Sequence, residues 1–198
     1  MDLICNKIRN TNSYYSNFEI SEIYDKLFAK CKPNDYSVIE FLTSYGFGRP
    51  REIIKFFSTY IELFPNEKDF SNEAMYRDVI KNYAQWFVAE LKNEMSIHKD
   101  SGYIKDTFEL LSNYNKSRFF YNKFKEYFEK HQESYPNIKC SFDEFLETLY
   151  NFGIIGNTWK KNNEQHYSWV YRGNSKKFNK SFKMVVHNGI RKGLSLGT

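Results

Sequence analysis

Leu149–Asn157, with the sequence LYNFGIIGN, joins an amphipathic helix through a glycine to a short apolar segment. Upstream of it, Ser141 is followed three residues later by a glutamate, which is the capping-box pattern of a helix start. We therefore predict a helix over Phe142–Phe152, with Gly153 as the residue that ends it. A short strand at Ile154–Gly156 follows, so the chain changes here from helical to extended structure.

The residues after this strand predict a β-hairpin wing. Tyr167–Tyr171 (YSWVY) combines aromatic and β-branched residues, which favour strands, and the polar stretch Asn157–His166 forms the expected tip. Val185-Val186 is either a further strand or the lead-in to a last helix. Upstream, apolar periodicity predicts helices at Tyr103–Ser112 and Ser117–Gln132. Three helices followed by a strand, a polar tip and a returning strand give the order of a winged helix.

The first half of the chain predicts a helical bundle. Apolar residues recur there at three- and four-residue steps, and the longest such segment is Asn72–Met95. Shorter helices are predicted at Ile20–Lys30, Asp35–Tyr45 and Arg51–Phe64. The polar stretch His98–Gly102 marks the predicted domain boundary. The sequence therefore predicts a mainly α protein, with a helical bundle over residues 1–99 and a winged-helix domain with a small β-hairpin wing over residues 100–198.

Composition narrows the class of protein. Of 198 residues, 41% are hydrophobic and 27% are charged, which is the balance of a folded globular chain rather than a disordered one. The chain has no run of about 18 apolar residues and no signal-peptide pattern at its start, so we expect no membrane span and a cytoplasmic location. Three cysteines without a CxxC pair, and four histidines without ligand spacing, predict no metal site.

Positive charge is concentrated at the C-terminal end. Residues 158–198 hold nine basic residues and one acidic residue, while the whole chain has a net charge of +5. The asymmetry favours a polyanionic partner such as DNA or RNA, or an acidic protein surface. Candidate nucleic-acid contacts are Lys160, Lys161, Arg172, Lys176, Lys177 and Lys180. The third predicted helix carries Asp143, Glu144 and Glu147, so we do not expect it to enter the major groove.

Three short stretches occur in this order along the chain: GFGRPREIIKFF (Gly46–Phe57), LYNFGIIGN (Leu149–Asn157) and VVHNGIRKGL (Val185–Leu194). Together they resemble the C-terminal region of a bacterial P-loop ATPase family of the AAA+/STAND type. The resemblance covers nearly the whole chain and implies a helical lid followed by a winged helix. The chain has no Walker A pattern, no Walker B portion and no other catalytic motif, so we expect it not to be an enzyme.

The resemblance also implies roles for three residues. In AAA+-like lids, an arginine at the start of a lid helix contacts the γ-phosphate of the nucleotide. Arg51 stands at that position, with Arg49 beside it. The stretch around His187 is similar to the Met-His-Asp motif of STAND proteins, in which the histidine senses the bound diphosphate; here asparagine replaces the aspartate. Alternatively, the arginines pair with carboxylates such as Glu52 or cap a neighbouring helix, and the histidine packs at a strand–helix junction.

Two functions follow from these observations. The first is a non-catalytic regulatory and interaction module, which meets ATP or ADP only through a nucleotide-binding domain outside this sequence and whose partner is that domain or another protein. The resemblance to STAND proteins implies a role in a prokaryotic defence system. The second is a stand-alone winged-helix protein that binds nucleic acid through its basic wing. An enzyme of another class would need a clustered site that the sequence does not reveal.

Overall fold

A computed structural model describes residues 2–28, 32–33, 36–173 and 178–197. The chain forms two compact units, Met1–Tyr83 and Ala84–Thr198. The division lies inside the longest helix rather than after residue 99, where the sequence analysis places it. The reason is that this helix serves both units: Tyr76 packs on Phe41 in the first, and Phe87 packs on His187 in the second.

The first unit is helical. Its elements are α1 (Asp2–Thr11), a 3-10 turn (Ser13–Tyr15), α2 (Ile20–Leu27), α3 (Val38–Tyr45), α4 (Pro50–Leu63) and the first part of α5 (Glu73–Met95). Helix α3 begins where Ser37 accepts the backbone N–H of Glu40, while the Glu40 side chain accepts the backbone N–H of Ser37. The predicted start of this helix at Asp35, and the last residues of the predicted helix Ile20–Lys30, lie outside the described residues.

The core of the first unit is built from aromatic rings. Phe56 lies at its centre, with ring centroids 5.4 Å from Tyr76, 5.9 Å from Tyr83 and 6.4 Å from Phe41. Tyr76 is almost fully buried and donates its hydroxyl hydrogen to the Phe70 carbonyl at 2.9 Å. Large aromatic side chains thus fill this core, and the buried hydroxyl of Tyr76 is satisfied by the backbone.

The second unit combines helices with one small sheet. Its elements are the rest of α5, α6 (Ser101–Tyr114), β1 (Arg118–Phe119), α7 (Tyr121–His131), α8 (Phe142–Asn151), β2 (Ile155–Lys161), β3 (Glu164–Ser168), β4 (Lys183–Val186) and α9 (Asn188–Arg191). The four strands are antiparallel, in the order β1-β4-β2-β3. The last strand in the sequence therefore lies between the first and the second. The prediction of a mainly α protein is confirmed, and the predicted small hairpin is part of a four-stranded antiparallel sheet.

Three local predictions in this unit need correction. The predicted strand Tyr167–Tyr171 ends at Ser168, because β3 spans Glu164–Ser168 and Val170–Arg172 forms a 3-10 turn. The predicted helix Ser117–Gln132 begins only at Tyr121, because Arg118-Phe119 pairs with β4 and forms a strand. The predicted hairpin tip Asn157–His166 is mostly strand. Its turn is the pair Asn162-Asn163, whose φ angles of 51° and 65° are left-handed values that asparagine tolerates.

The sheet is buried on both faces along most of β4. Met184, Val185 and Val186 in β4 and Ile155 in β2 are almost fully buried, although Val185 points to the opposite face from its two neighbours. Lys183, at the start of β4, is exposed. None of the described helices is long and apolar enough to cross a membrane.

Candidate functional site

The loop Gly46–Arg49 leads into α4 and is organised by a buried carboxylate. Glu52, in the first turn of α4, has only 3% of its surface exposed. Its Oε2 atom accepts the backbone N–H of Phe47 at 2.7 Å and that of Arg49 at 3.1 Å. One side chain therefore holds the loop that the sequence analysis singled out for nucleotide sensing.

Both candidate arginines lie at this end of α4. The Arg49 guanidinium lies over the Phe47 ring, 5.0 Å from its centroid, and its Nε atom is 3.9 Å from Oε1 of Glu52. The pairing that the sequence analysis offered as the alternative for Arg49 is therefore present. Arg51 is exposed in the first turn. Because Glu52 already occupies the Phe47 and Arg49 amides, an incoming phosphate would meet the guanidinium groups rather than these amides.

The surroundings of Glu52 are crowded and poorly hydrated. Burial raises the pKa of Glu52, and this effect outweighs the hydrogen bonds and the two nearby arginines, which lower it. A Cβ atom at Gly46 would lie 2.6 Å from Oε2 of Glu52 and 2.8 Å from the Tyr83 hydroxyl oxygen. Burial likewise raises the pKa of Tyr83, and the neighbouring Glu52 charge adds to the rise. Glycine at position 46 therefore leaves the space that the carboxylate needs.

His187, the other candidate for nucleotide sensing, is enclosed in the second unit with 1% of its surface exposed. Its Nδ1 atom accepts the Gly189 N–H at 3.1 Å, which caps the start of α9. Its Nε2 atom lies 3.1 Å from the Tyr171 hydroxyl oxygen. Since Nδ1 is an acceptor, the neutral ring carries its proton on Nε2 and donates it to Tyr171. This geometry matches the alternative of a histidine packed at a strand–helix junction.

Substitution of His187 measures what this cap contributes. His187→Ala is expected to lower the free energy of unfolding by about 1–2 kcal/mol, because it removes a helix cap and a buried hydrogen bond. His187→Asn keeps an acceptor for the Gly189 N–H, so its loss of stability should be smaller than that of His187→Ala. Urea unfolding of the full chain, followed by circular dichroism, gives both values. Equal losses for the two variants would contradict a capping role.

The predicted basic residues of the C-terminal end lie on several different elements, as far as the structure describes them. Lys160 and Lys161 are exposed at the end of β2 and, as neighbours in a strand, project to opposite faces. Arg172 is exposed, and its guanidinium carbon is 5.8 Å from the centroid of the Tyr171 ring. Lys176 and Lys177 lie outside the described residues.

Lys180 is engaged by the acidic start of α8. Its Nζ atom is 2.6 Å from Oδ2 of Asp143, and Tyr121 donates a hydrogen bond to the other oxygen of that carboxylate at 2.7 Å. The hydrogen bond from Lys180, and then that from Tyr121, lower the pKa of Asp143. This pairing offsets part of the negative charge of α8 and leaves Lys180 less available to a polyanion.

A basic groove that the sequence analysis did not identify lies along α7. It has a volume of about 650 Å³. Its lining consists of Tyr114, Lys116, Arg118, Phe119, Phe120, Lys123, Glu126, Tyr127, Lys130 and His131. The sequence analysis placed Arg118 inside one long helix that began at Ser117. In the structure Arg118 belongs to strand β1, and it lines the same groove as the residues of α7. Pairing of residues 118–119 with β4 was the missing signal.

Comparison with known proteins finds no counterpart: no family model matches the chain, and neither do the curated proteins or the solved structures. Within the described residues, no group of three or more histidine, cysteine or acidic side chains is placed to hold a metal ion. The candidate sites are therefore the start of α4 and the basic groove along α7, both defined by geometry.

Proposed function

We propose that the chain is a non-catalytic regulatory and interaction module whose second unit is a winged helix. The order of the elements supports this: α6, β1, α7 and α8 precede the hairpin β2-β3, and β4 returns between β1 and β2. In a winged helix, the strand after the first helix pairs with a later strand of the same sheet, as β1 pairs with β4 here, while the returning hairpin strand β3 lies at the other edge beside β2. Such a scaffold presents surfaces to partners, and its fold alone names none of them.

The partner we propose is the core of a P-loop ATPase of the AAA+/STAND type, acting through the start of α4. The observation that carries this proposal is the buried Glu52, which fixes the loop through two backbone hydrogen bonds. Arg49 and Arg51 are thereby held at one helix end, where guanidinium groups can contact phosphate oxygens in a bidentate manner. A nucleotide held by the partner would supply those phosphates, and the chain would respond to their presence.

Nucleotide affinity tests this proposal. The assay uses the P-loop protein encoded in the same gene or beside it, a fluorescent ATP analogue, and the full chain. We expect the chain to tighten ATP binding about tenfold, which corresponds to about 1.4 kcal/mol of coupling. Arg51→Ala should abolish most of this gain, whereas Arg77→Ala, at an exposed position on α5, should leave it unchanged.

Two results would count against this function. If the chain leaves the affinity for the analogue unchanged, it does not sense nucleotide. If Arg51→Ala and Arg77→Ala reduce the gain equally, the start of α4 is not the contact. An ADP arm of the same titration separates a γ-phosphate contact from general attraction to nucleotide, because only ATP carries that group.

A second function, nucleic-acid binding by the winged helix alone, is favoured by one observation. Lys160 and Lys161 are exposed on the hairpin, and within the described part of the chain no carboxylate oxygen lies within 4 Å of their ammonium groups. Unpaired lysines on a wing can contact phosphates without reading sequence. Exchange of Lys160, Lys161, Lys176 and Lys177 for glutamate should then remove salt-dependent binding, and binding that survives would exclude the wing.

A further inference from the structure

The groove along α7 carries a strong local excess of positive charge. Its lining has four cations, Lys116, Arg118, Lys123 and Lys130, and one carboxylate, that of Glu126. Lys123 is paired with Glu126 at 2.9 Å. Among the described residues, no carboxylate lies within 4 Å of the other three cations. Three positive charges therefore line this groove without a countercharge in contact.

The same groove exposes aromatic rings. Phe120 keeps 53% of its surface exposed, so part of its ring is accessible to a ligand in the groove. Lys183 of β4 lies over this ring, 4.8 Å from its centroid, and adds a further cation at the edge of the groove. Deeper in the groove, Tyr127 stacks on His131, with ring centroids 4.1 Å apart.

Cations interleaved with accessible rings are the surface that single-stranded nucleic acid requires. Phosphates are neutralised by lysine and arginine, and unpaired bases stack on aromatic side chains whatever their sequence. A duplex fits poorly, because its bases are already stacked on one another and cannot stack on Phe120. Among polyanions, single-stranded nucleic acid can contact both the cations and the exposed Phe120 ring.

We propose that the groove between β1 and α7 binds single-stranded nucleic acid. Phosphates lie against Lys116, Arg118 and Lys130, and a base stacks on Phe120. The Nη2 atom of Arg118 donates to the Tyr167 hydroxyl oxygen at 3.2 Å, so a phosphate would be bound by the other N–H groups of that guanidinium. This site goes beyond the proposed function: it lies in the second unit and does not depend on an ATPase partner.

The experiment measures fluorescence anisotropy of labelled 12-nucleotide oligothymidine, oligouridine and a 12-base-pair duplex with the full chain. Single strands should bind more tightly than the duplex, and binding should weaken from about 50 mM to about 200 mM salt. The triple variant Lys116→Gln, Arg118→Gln, Lys130→Gln should raise Kd about 10- to 100-fold. It should also flatten the slope of log K against log salt by about 2, because three phosphate contacts are lost.

Matched control variants distinguish the loss of groove contacts from a general loss of positive charge. The control triple Arg77→Gln, Lys81→Gln, Lys139→Gln removes the same charge from exposed positions elsewhere and should leave Kd within twofold. Phe120→Ala should raise Kd about 5- to 100-fold through lost stacking. Tyr36→Ala removes another exposed ring, one that is 58% exposed, and should have no effect. Lys160→Gln with Lys161→Gln tests the wing. Circular dichroism confirms that each variant is folded.

Several outcomes would overturn the proposal. They are no binding at low salt, tighter binding of the duplex, and equal losses for the groove and control triples. A loss caused by the wing variant alone would assign the contact to β2 and β3 instead, and an unchanged Kd for Phe120→Ala would remove the stacking role. None of these results bears on the ATP-affinity test, which contains no nucleic acid, so the two proposals fail separately. Comparison of the thymidine and uridine strands shows whether DNA or RNA is preferred.

Discussion

Glu52→Ala is expected to lower the free energy of unfolding of the first unit by about 2–4 kcal/mol. The substitution leaves the Phe47 and Arg49 amides without their acceptor, and a partly buried N–H without a partner costs about 1–3 kcal/mol. Glu52→Gln keeps one oxygen that can accept both hydrogens, so its effect should be much smaller. Urea unfolding of the full chain, followed by circular dichroism, compares the two variants.

Comparison of the wild-type chain with Glu52→Gln also predicts how stability depends on pH. Burial raises the pKa of Glu52, so the folded state holds the proton more tightly than the unfolded state does. The wild-type chain should therefore lose stability relative to Glu52→Gln as the pH rises. The loss should begin near the ordinary pKa of glutamate and be complete above the raised pKa of Glu52 in the folded state. The difference between the two proteins isolates this group from all others that titrate. A difference that is constant with pH, or that grows in favour of the wild type, would contradict the burial argument.

Gly156→Val is expected to lower the free energy of unfolding by about 3 kcal/mol or more through overpacking. A Cβ atom at position 156 would lie 2.5 Å from Cε3 of Trp169 and 2.7 Å from the Ser168 carbonyl oxygen. The second of these atoms belongs to the backbone next to β2, so the clash cannot be relieved by turning one side chain. Because the Trp169 ring also packs on His187, at 5.1 Å between centroids, the disturbance should reach the cap of α9.

Gly173 provides the control for this prediction. Its φ of 69° is left-handed, and a Cβ atom there would have no neighbour within 4 Å. Gly173→Ala should cost about 1 kcal/mol from backbone strain alone. Thermal unfolding of both variants separates steric overlap from strain. A loss for Gly156→Val no greater than that for Gly173→Ala would mean that the packing of Trp169 on β2 is not tight.

The helices that the sequence predicted well are those with a local start signal. Helix α8 begins after Ser141, which accepts the Glu144 N–H, and α4 begins with proline in its first turn. Helix α5 was predicted from 23 residues of regular apolar spacing. Local chemistry and periodicity therefore set these elements without help from distant parts of the chain.

The elements that the sequence missed depend on distant partners. Strand β1 has two residues, and it is extended because Arg118 and Phe119 pair with Val185 and Met184. Nothing within the segment distinguishes it from the start of α7, since Phe119 and Phe120 fit a helical face equally well. Polar hairpin residues such as Gln165 lie in strand β3 because β2 pairs with them.

The candidate sites divide in the same way. The pairing of Arg49 with Glu52 was an open alternative in the sequence, because the two residues are three apart at a helix start. The burial of Glu52 and the enclosure of His187 depend on long-range packing, which local sequence patterns do not reveal. The basic groove was hidden by the error at β1, although its cations were visible in the sequence. Charge counted along the chain pointed to the C-terminal end, whereas charge placed in space also marks α7 and β1.

Steady-state ATP hydrolysis tests the central claim most directly, namely that the chain regulates a P-loop partner and has no catalytic activity of its own. The assay measures phosphate release by the P-loop protein encoded with this chain, by the chain, and by both together. With ATP far below the KM of the partner, where the rate follows ATP affinity, the account predicts no hydrolysis by the chain alone and a rate for the mixture that differs about tenfold from that of the partner, a change that Arg51→Ala reverses. Hydrolysis by the chain alone, or a partner whose rate the chain leaves unchanged, would contradict it.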